Sequence, residues 1–270
     1  RCFAEASGRD LSQFSLWYHQ AGTPNVAATT SYDPDKREFT LDLEQSVPPT
    51  PSESRKRLMH IPLAFGLIGE SGQEVAYEAP DGGAVESGVI HLTKRKQSLR
   101  FREVGERPAL SINRGFSAPV TLAVEQSEAD RIFLARHDSD AFSRWEALNT
   151  LFTQAMIAAV KKLRNGKTPS FGKELAELSG ELAADSRLEP AYRALMLSLP
   201  AEADIAREIG ANIDPDAIHA ARDALAKAIA EANAVAFERI MVELHDPGPF
   251  SPDAASAGRR SLKNVLLDYV

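Results

Sequence analysis

Cysteine is almost absent from this chain. Cys2 is the single one among 270 residues, so an internal disulfide and a cysteine metal cluster are both excluded, and a reducing compartment fits. No apolar run approaches the length that spans a bilayer. Basic stretches are short. Net charge is −7, charges of both signs are interspersed, and the densest basic runs are residues 55–57 (RKR) and 94–96 (KRK). Three basic residues without interleaved aromatics read as solvated loops, which excludes a nucleic-acid surface.

The residues of hydrolytic chemistry are also missing. A zinc hydrolase needs two histidines one helical turn apart and a glutamate to activate water. None of the six histidines has that spacing. His60 and His91 lie in strand-like segments, where no partner is expected nearby. His19 and His137 stand alone, and His219 and His245 are far apart on one long helical pattern. Each reads as a surface or satisfied core residue. There is no G-x-S-x-G elbow and no phosphate-cradling G-x-x-x-x-G-K-[ST] loop. The carboxylates Asp214 and Asp216 are accounted for by a helix start.

What is present falls into three regions. Leu11, Phe14, Leu16 and Trp17 have helical spacing behind Asp10 and predict a helix that stops at Gly22, reading 1–22 as the end of an upstream domain. Residues 23–127 read as strands. Segment 38–44 alternates cleanly and predicts a hairpin with 26–31 across the turn 32–36. Further strands are expected at 61–68, 74–77, 88–93, 98–104, 109–113 and 120–125. Residues 80–83 form one turn between them, and 48–52 a stiff exposed loop. Strands of this number and spacing predict an immunoglobulin-like β-sandwich. Residues 128–270 read as helical. Phe142, Trp145, Leu148, Leu151, Phe152, Ala155, Met156 and Ala159 make one apolar stripe ending at Gly166. Further helices are expected near Ser170, Glu189, Ala201 and Asp214, the last with Pro215 at its first position and an end near His245. The fold class is therefore β followed by α: a sandwich, then an all-α bundle or solenoid. The chain starts at Arg1 and ends at Val270 inside an apolar helical pattern (Leu262, Val265, Leu266, Tyr269). Both ends read as cut points, and the open helical end predicts weak self-association.

The densest polar and aromatic cluster contains Arg136, His137, Asp138, Arg144, Trp145 and Glu146. It reads as a domain junction that opens a helix, with Trp145 buried and Arg144 paired locally. This cluster, 136–148 (RHDSDAFSRWEAL), resembles the start of the helical domain in the bacterial aminopeptidase N family. Residues 17–24 (WYHQAGTP) with Tyr32-Asp33, 59–65 (MHIPLAF), 66–72 (GLIGESG), 115–120 (GFSAPV) and 213–222 (IDPDAIHAAR) resemble the same family, in order.

The resemblance implies a parent enzyme that removes N-terminal amino acids from peptides. In that family H-E-x-x-H and a downstream glutamate hold zinc, and G-x-M-E-N grips the free amine. Neither motif occurs here, so no catalytic, cofactor or metal residue is carried over and zinc is expected only in the parent. The resemblance implies that the sandwich joins a catalytic domain to a helical domain enclosing the active site. The implied partners are those absent domains and, for the parent, peptides, in the cytoplasm. A second reading stays open beside it: an autonomous module of sandwich plus helices that binds a protein or peptide. A third, an enzyme assembled from distant residues, offers no nucleophile and base that stand out.

Overall fold

Apolar side chains at every second position bury one face of β2 (Glu38–Ser46): Phe39, Leu41 and Leu43 point inward and Asp42 and Glu44 outward. β1 (Asn25–Asp33) pairs with it antiparallel, Asp33 opposite Glu38. The Asp33 carboxylate accepts from the amides of Asp35 and Lys36, each at 3.1 Å, and so closes the turn. Both strands run longer than the predicted hairpin. The computed structural model describes residues 2–80, 82–245 and 247–269; Asp81 of the predicted 80–83 turn lies outside them, as do Arg1 and Val270.

Six more strands follow: β3 (Ile61–Ile68), β4 (Val85–Glu86), β5 (Val89–Leu92), β6 (Lys96–Phe101), β7 (Ala109–Ile112) and β8 (Thr121–Val124). They form two four-stranded sheets, ordered β6-β2-β1-β8 and β4-β5-β3-β7. β1 and β8 pair in parallel; the other pairs are antiparallel. The facing sides bury Leu41, Leu43, Leu99 and Phe101 from one sheet and Ile61, Leu63, Leu67, Ile90 and Leu92 from the other. This is the predicted immunoglobulin-like sandwich. Gln45 occupies the next inward position of β2 and is fully buried. Its amide donates to Met59 O (2.9 Å) and Lys94 O (3.2 Å) and accepts from Met59 N (2.9 Å). One side chain thus stitches the first sheet to the chain entering and leaving the second.

Two strand expectations are corrected. Residues 74–77 make no strand, only the isolated bridges Ile68↔Glu74 and Glu78↔Arg102 nearby. Tyr77 instead sets its ring edge-on to Phe101, centroids 5.1 Å apart, so the segment is held by side-chain packing rather than a ladder. β4, too short to show a period, was not expected. The predicted helix behind Asp10 is also shorter. It is reduced to α2 (Leu16–His19), after α1 (Cys2–Ser7). The Asp10 carboxylate accepts from the Ser12 amide at 2.9 Å, closing a local turn in place of a long helix.

The chain forms two compact units, Arg1–Arg144 and Trp145–Val270. The first includes α3 (Glu128–His137), a helix that the periodicity did not reveal. Its start is written in the sequence as a capping box: Ser127 Oγ accepts from Asp130 N, and Asp130 accepts from Ser127 N. Arg107 grips Asp130 with two 2.9 Å bonds, and Arg131 donates to Val124 O and Gln126 O. These ties seat α3 at the end of β8.

α4 (Ala141–Arg164) contains the division between the units. The second unit continues with α5 (Lys173–Ala184), α6 (Pro190–Leu197), α7 (Glu202–Ile209), α8 (Pro215–Glu243) and α9 (Ala254–Leu267). α8 begins as expected: Asp214 accepts from Ala217 N at 3.0 Å and Pro215 takes the first turn. α5 packs on α8 and α6 on α9. At the first crossing a Cβ on Gly180 would lie 1.9 Å from Asn233 Oδ1. Asn233 Nδ2 donates to Ala176 O of α5 and Ile229 O of α8, each at 2.8 Å. Among the described residues no helix is long and apolar enough to cross a membrane.

Candidate functional site

Arg114 lies in a tight turn after β7, between Asn113 and Gly115, both with left-handed backbone (φ 62 and 59). Its guanidinium lies flat over β3, where a Cβ on Gly66 would come within 2.3 Å of Arg114 Cζ. Only glycine leaves that space. Nε donates to Ser111 Oγ (2.8 Å), Nη2 to Asp138 Oδ1 (2.9 Å), and Nη1 to Glu74 Oε1. Burial works against the Arg114 charge, but Glu74 and Asp138 outweigh it and hold its pKa above the ordinary arginine value.

Asp138 is the partner that the sequence singled out. Its side chain has 0% exposure and that of Arg114 13%. Asp138 Oδ1 also accepts from Asp140 N (3.0 Å), and Asp140 Oδ1 accepts from Gly115 N (3.1 Å) and Ser143 N (2.8 Å). The cluster therefore does not open one helix, as expected. Arg136 and His137 are the last turn of α3, Asp138 caps its end, and Asp140 starts α4. Arg144 Nε donates to Ala135 O at 3.1 Å. These four predicted residues, Arg136, His137, Asp138 and Arg144, lie in the first unit. Trp145 and Glu146 begin the second; Trp145 is half-buried, not buried as expected, and the Glu146 residue is exposed. Protein atoms that displace water from the Glu146 carboxyl, and then the charge of Glu208, raise its pKa. Such an arrangement positions backbone.

A second feature is an open hollow of about 910 Å³ in the first unit, walled by Phe3, Leu11, Phe14 and Tyr18 and floored by His60 and His91. Phe3 and Tyr18 are 82% and 81% exposed. The expectation that His60 and His91 lack partners is corrected: His60 Nε2 and His91 Nδ1 are 2.9 Å apart. Antiparallel pairing of β3 with β5 sets Pro62 opposite His91 and brings the two rings together across 31 residues. No sequence spacing encodes that meeting. His91 Nε2 faces Glu86 Oε2 at 3.8 Å, and Arg9 Nη2 donates to both Glu86 oxygens at 2.7 and 2.8 Å.

This pair does not fit a zinc centre. A zinc centre takes three or four protein donors, and the pair supplies two. Among the described residues no three His, Cys, Asp or Glu side chains stand where they could hold a metal ion. His219 is held instead by Glu202 (Nδ1, 2.8 Å) and Asp223 (Nε2, 3.3 Å), a surface clasp from α8 to α7. The basic run 55–57 also departs from expectation. The Lys56 side chain is 5% exposed, and its ammonium donates to Ala21 O, Thr50 Oγ1 and Glu53 Oε2 at 2.6–2.8 Å. It closes the loop rather than facing solvent.

Comparison with known proteins places these features. Residues 128–270 match the family described as "Domain of unknown function (DUF3458_C) ARM repeats". Residues 22–125 match "Domain of unknown function (DUF3458) Ig-like fold". Aminopeptidase N of Caulobacter vibrioides is 40% identical over 268 residues, which is 99% of this chain and 29% of that protein. Aminopeptidase N of Escherichia coli is 30% identical over 267 residues, 98% of this chain and 30% of the relative. The chain thus spans under a third of the length of the curated relatives it matches. The crystal structure of Legionella pneumophila aminopeptidase A in complex with aspartic acid shares the fold, with a TM-score of 0.80 at 24% identity over 98% of this chain and 29% of that one.

Proposed function

This chain belongs to the aminopeptidase N family, in which it corresponds to the Ig-like and ARM-repeat portions, and from that premise we propose that it is the non-catalytic part of a zinc-dependent enzyme that removes N-terminal amino acids from peptides. One observation carries the reading: the likeness runs along nearly all of this chain but under a third of each relative. Zinc, and the residues that hold it, belong to the remainder of the parent. Enclosure of an active site by such a helical domain excludes water and large substrates, which is itself a contribution to catalysis.

The first unit supplies the surfaces for this work. The hollow beside Phe3 and Tyr18 exposes aromatic area that a soluble domain ordinarily covers, and the remainder of the same polypeptide is its proposed occupant. Arg136, His137, Asp138, Arg144, Trp145 and Glu146 are proposed as the junction between the Ig-like and helical parts, with Arg114 as the anchor on the sandwich side. A cytoplasmic location is proposed with the same reading. No observation favours the autonomous binding module over it.

The test compares this chain alone with the full-length product of its gene. Metal analysis and hydrolysis of an alanyl chromogenic amide are expected to be positive for the full-length protein and negative for the chain. Hydrolysis by the chain alone overturns the proposal, as does a full-length protein without zinc or activity.

A further inference from the structure

Every other asparagine of the chain precedes a residue with a Cβ; Asn165 precedes Gly166. The difference is chemical. A backbone amide nitrogen can attack the side-chain carbonyl of the asparagine before it. A Cβ on the attacking residue crowds that approach, and glycine has none. Both residues are exposed, just beyond the last residue of α4.

The backbone explains why glycine stands there. Gly166 has φ 65, the left-handed conformation that closes a helix. Its amide donates to Leu163 O at 2.9 Å, and the Lys167 amide donates to Lys162 O at 2.9 Å. These are the two crossed bonds of a Schellman end. Asn165 Nδ2 adds a third bond, to Lys161 O at 2.7 Å. The dipeptide that stops α4 is therefore also a reactive one. Both of its reacting groups are held by the turn that it closes.

We propose that Asn165 is a site of slow self-modification: Gly166 N attacks its side chain, and the hydrogen bonds at the end of α4 set the rate. The step balances without any reagent but water. Base removes the proton from Gly166 N, and that nitrogen forms a bond to Asn165 Cγ. The Cγ–Nδ2 bond breaks, and Nδ2 takes up a proton and leaves as ammonia. A five-membered succinimide remains. Water then opens it at Cγ to give aspartate, or at the main-chain carbonyl to give isoaspartate.

The helix end gates the first step. An N–H that donates to a carbonyl is shielded from base, as in hydrogen exchange. Gly166 N must leave Leu163 O before it can lose its proton, and Asn165 Nδ2 must leave Lys161 O before Cγ can turn toward it. The products then weaken the gate. Neither carboxylate can donate to Lys161 O, and each puts a negative charge at the helix C-terminus, where carbonyl oxygens disfavour it. Isoaspartate also routes the backbone through the side chain and adds one atom to it between Leu163 and Gly166. Both closing bonds span that point, so the last turn unwinds.

The test ages the chain at mildly alkaline pH, folded and in guanidinium chloride, and follows each asparagine by peptide mapping in a mass spectrometer. In the folded chain conversion is expected first at Asn165, with both aspartate and isoaspartate as products. Two exposed hydrogen bonds must break beforehand, so the folded chain is expected to convert about 10- to 100-fold more slowly than the denatured one. Hydrogen exchange at the Gly166 amide depends on the same opening, and its protection is expected to equal that ratio. Asn165→Gln keeps a side-chain donor but must close a larger, slower ring, and is expected to stay unconverted. Equal rates in the folded and denatured chains overturn the gate, as does a freely exchanging Gly166 amide beside slow conversion. An Asn165 that stays intact in either state, or another asparagine that converts first in the folded chain, overturns the site. None of these outcomes depends on the parent being a peptidase.

Discussion

Asp138 shows how much one buried side chain can hold. It is fully enclosed, ion-paired to Arg114, and bonded to the Asp140 amide that begins the next helix. Removing one partner of a buried pair strands the other charge without solvent. Asp138→Ala is therefore expected to cost about 3–5 kcal/mol, read from the denaturant midpoint. Glu74 is a contrasting partner of the same guanidinium. It is about half exposed, so water replaces much of what Glu74→Gln removes, and that change is expected to cost about 1 kcal/mol or less. Equal losses in the two variants would mean that burial does not control this network. The sequence marked Asp138 because it stands in a dense polar cluster. It did not mark Arg114, 24 residues away, whose role depends on a left-handed turn and on the empty space over Gly66.

At the scale of elements, the α5–α8 crossing rests on a small residue opposite an amide. Asn233 reaches across to the backbone of α5, and Gly180 lets the two helices come that close. Gly180→Ala would normally favour a helix, since alanine is the better helix former. Here the added methyl collides with Asn233 Oδ1, so the variant is expected to lose about 1–3 kcal/mol, as overpacked cores do. The same substitution in an Asn233→Ala background should cost less, because the colliding atom is gone. A double-mutant cycle that shows no coupling counts against this account. Helix α3 belongs to this scale too. Its capping box was readable at Ser127 and Asp130, but its apolar residues are too few to give a clear period, and it is held to the sandwich by Arg107 and Arg131.

The whole molecule consists of two compact units, each with its own core. Separate cores give separate cooperative transitions unless one unit's melting abolishes the other. Calorimetry of the chain is expected to resolve two transitions. Asp138→Ala should lower one of them and Gly180→Ala the other, since the two residues lie in different units. A single transition shifted alike by both substitutions would show that the units unfold together.

The order of sandwich and helices was determined by the sequence itself. Period-two alternation in β2, the apolar stripe of α4 and the Asp214-Pro215 start of α8 are local signals, and each element needs only its own residues to declare its type. The ordered likeness to the aminopeptidase N family was equally legible. The pairing of His60 with His91, the burial of Lys56 and Gln45, and the Arg114–Asp138 bond were decided only by tertiary structure. Each joins residues whose distance in space depends on strand register and loop path. A side chain's own identity leaves both undetermined, and only the packed core selects them.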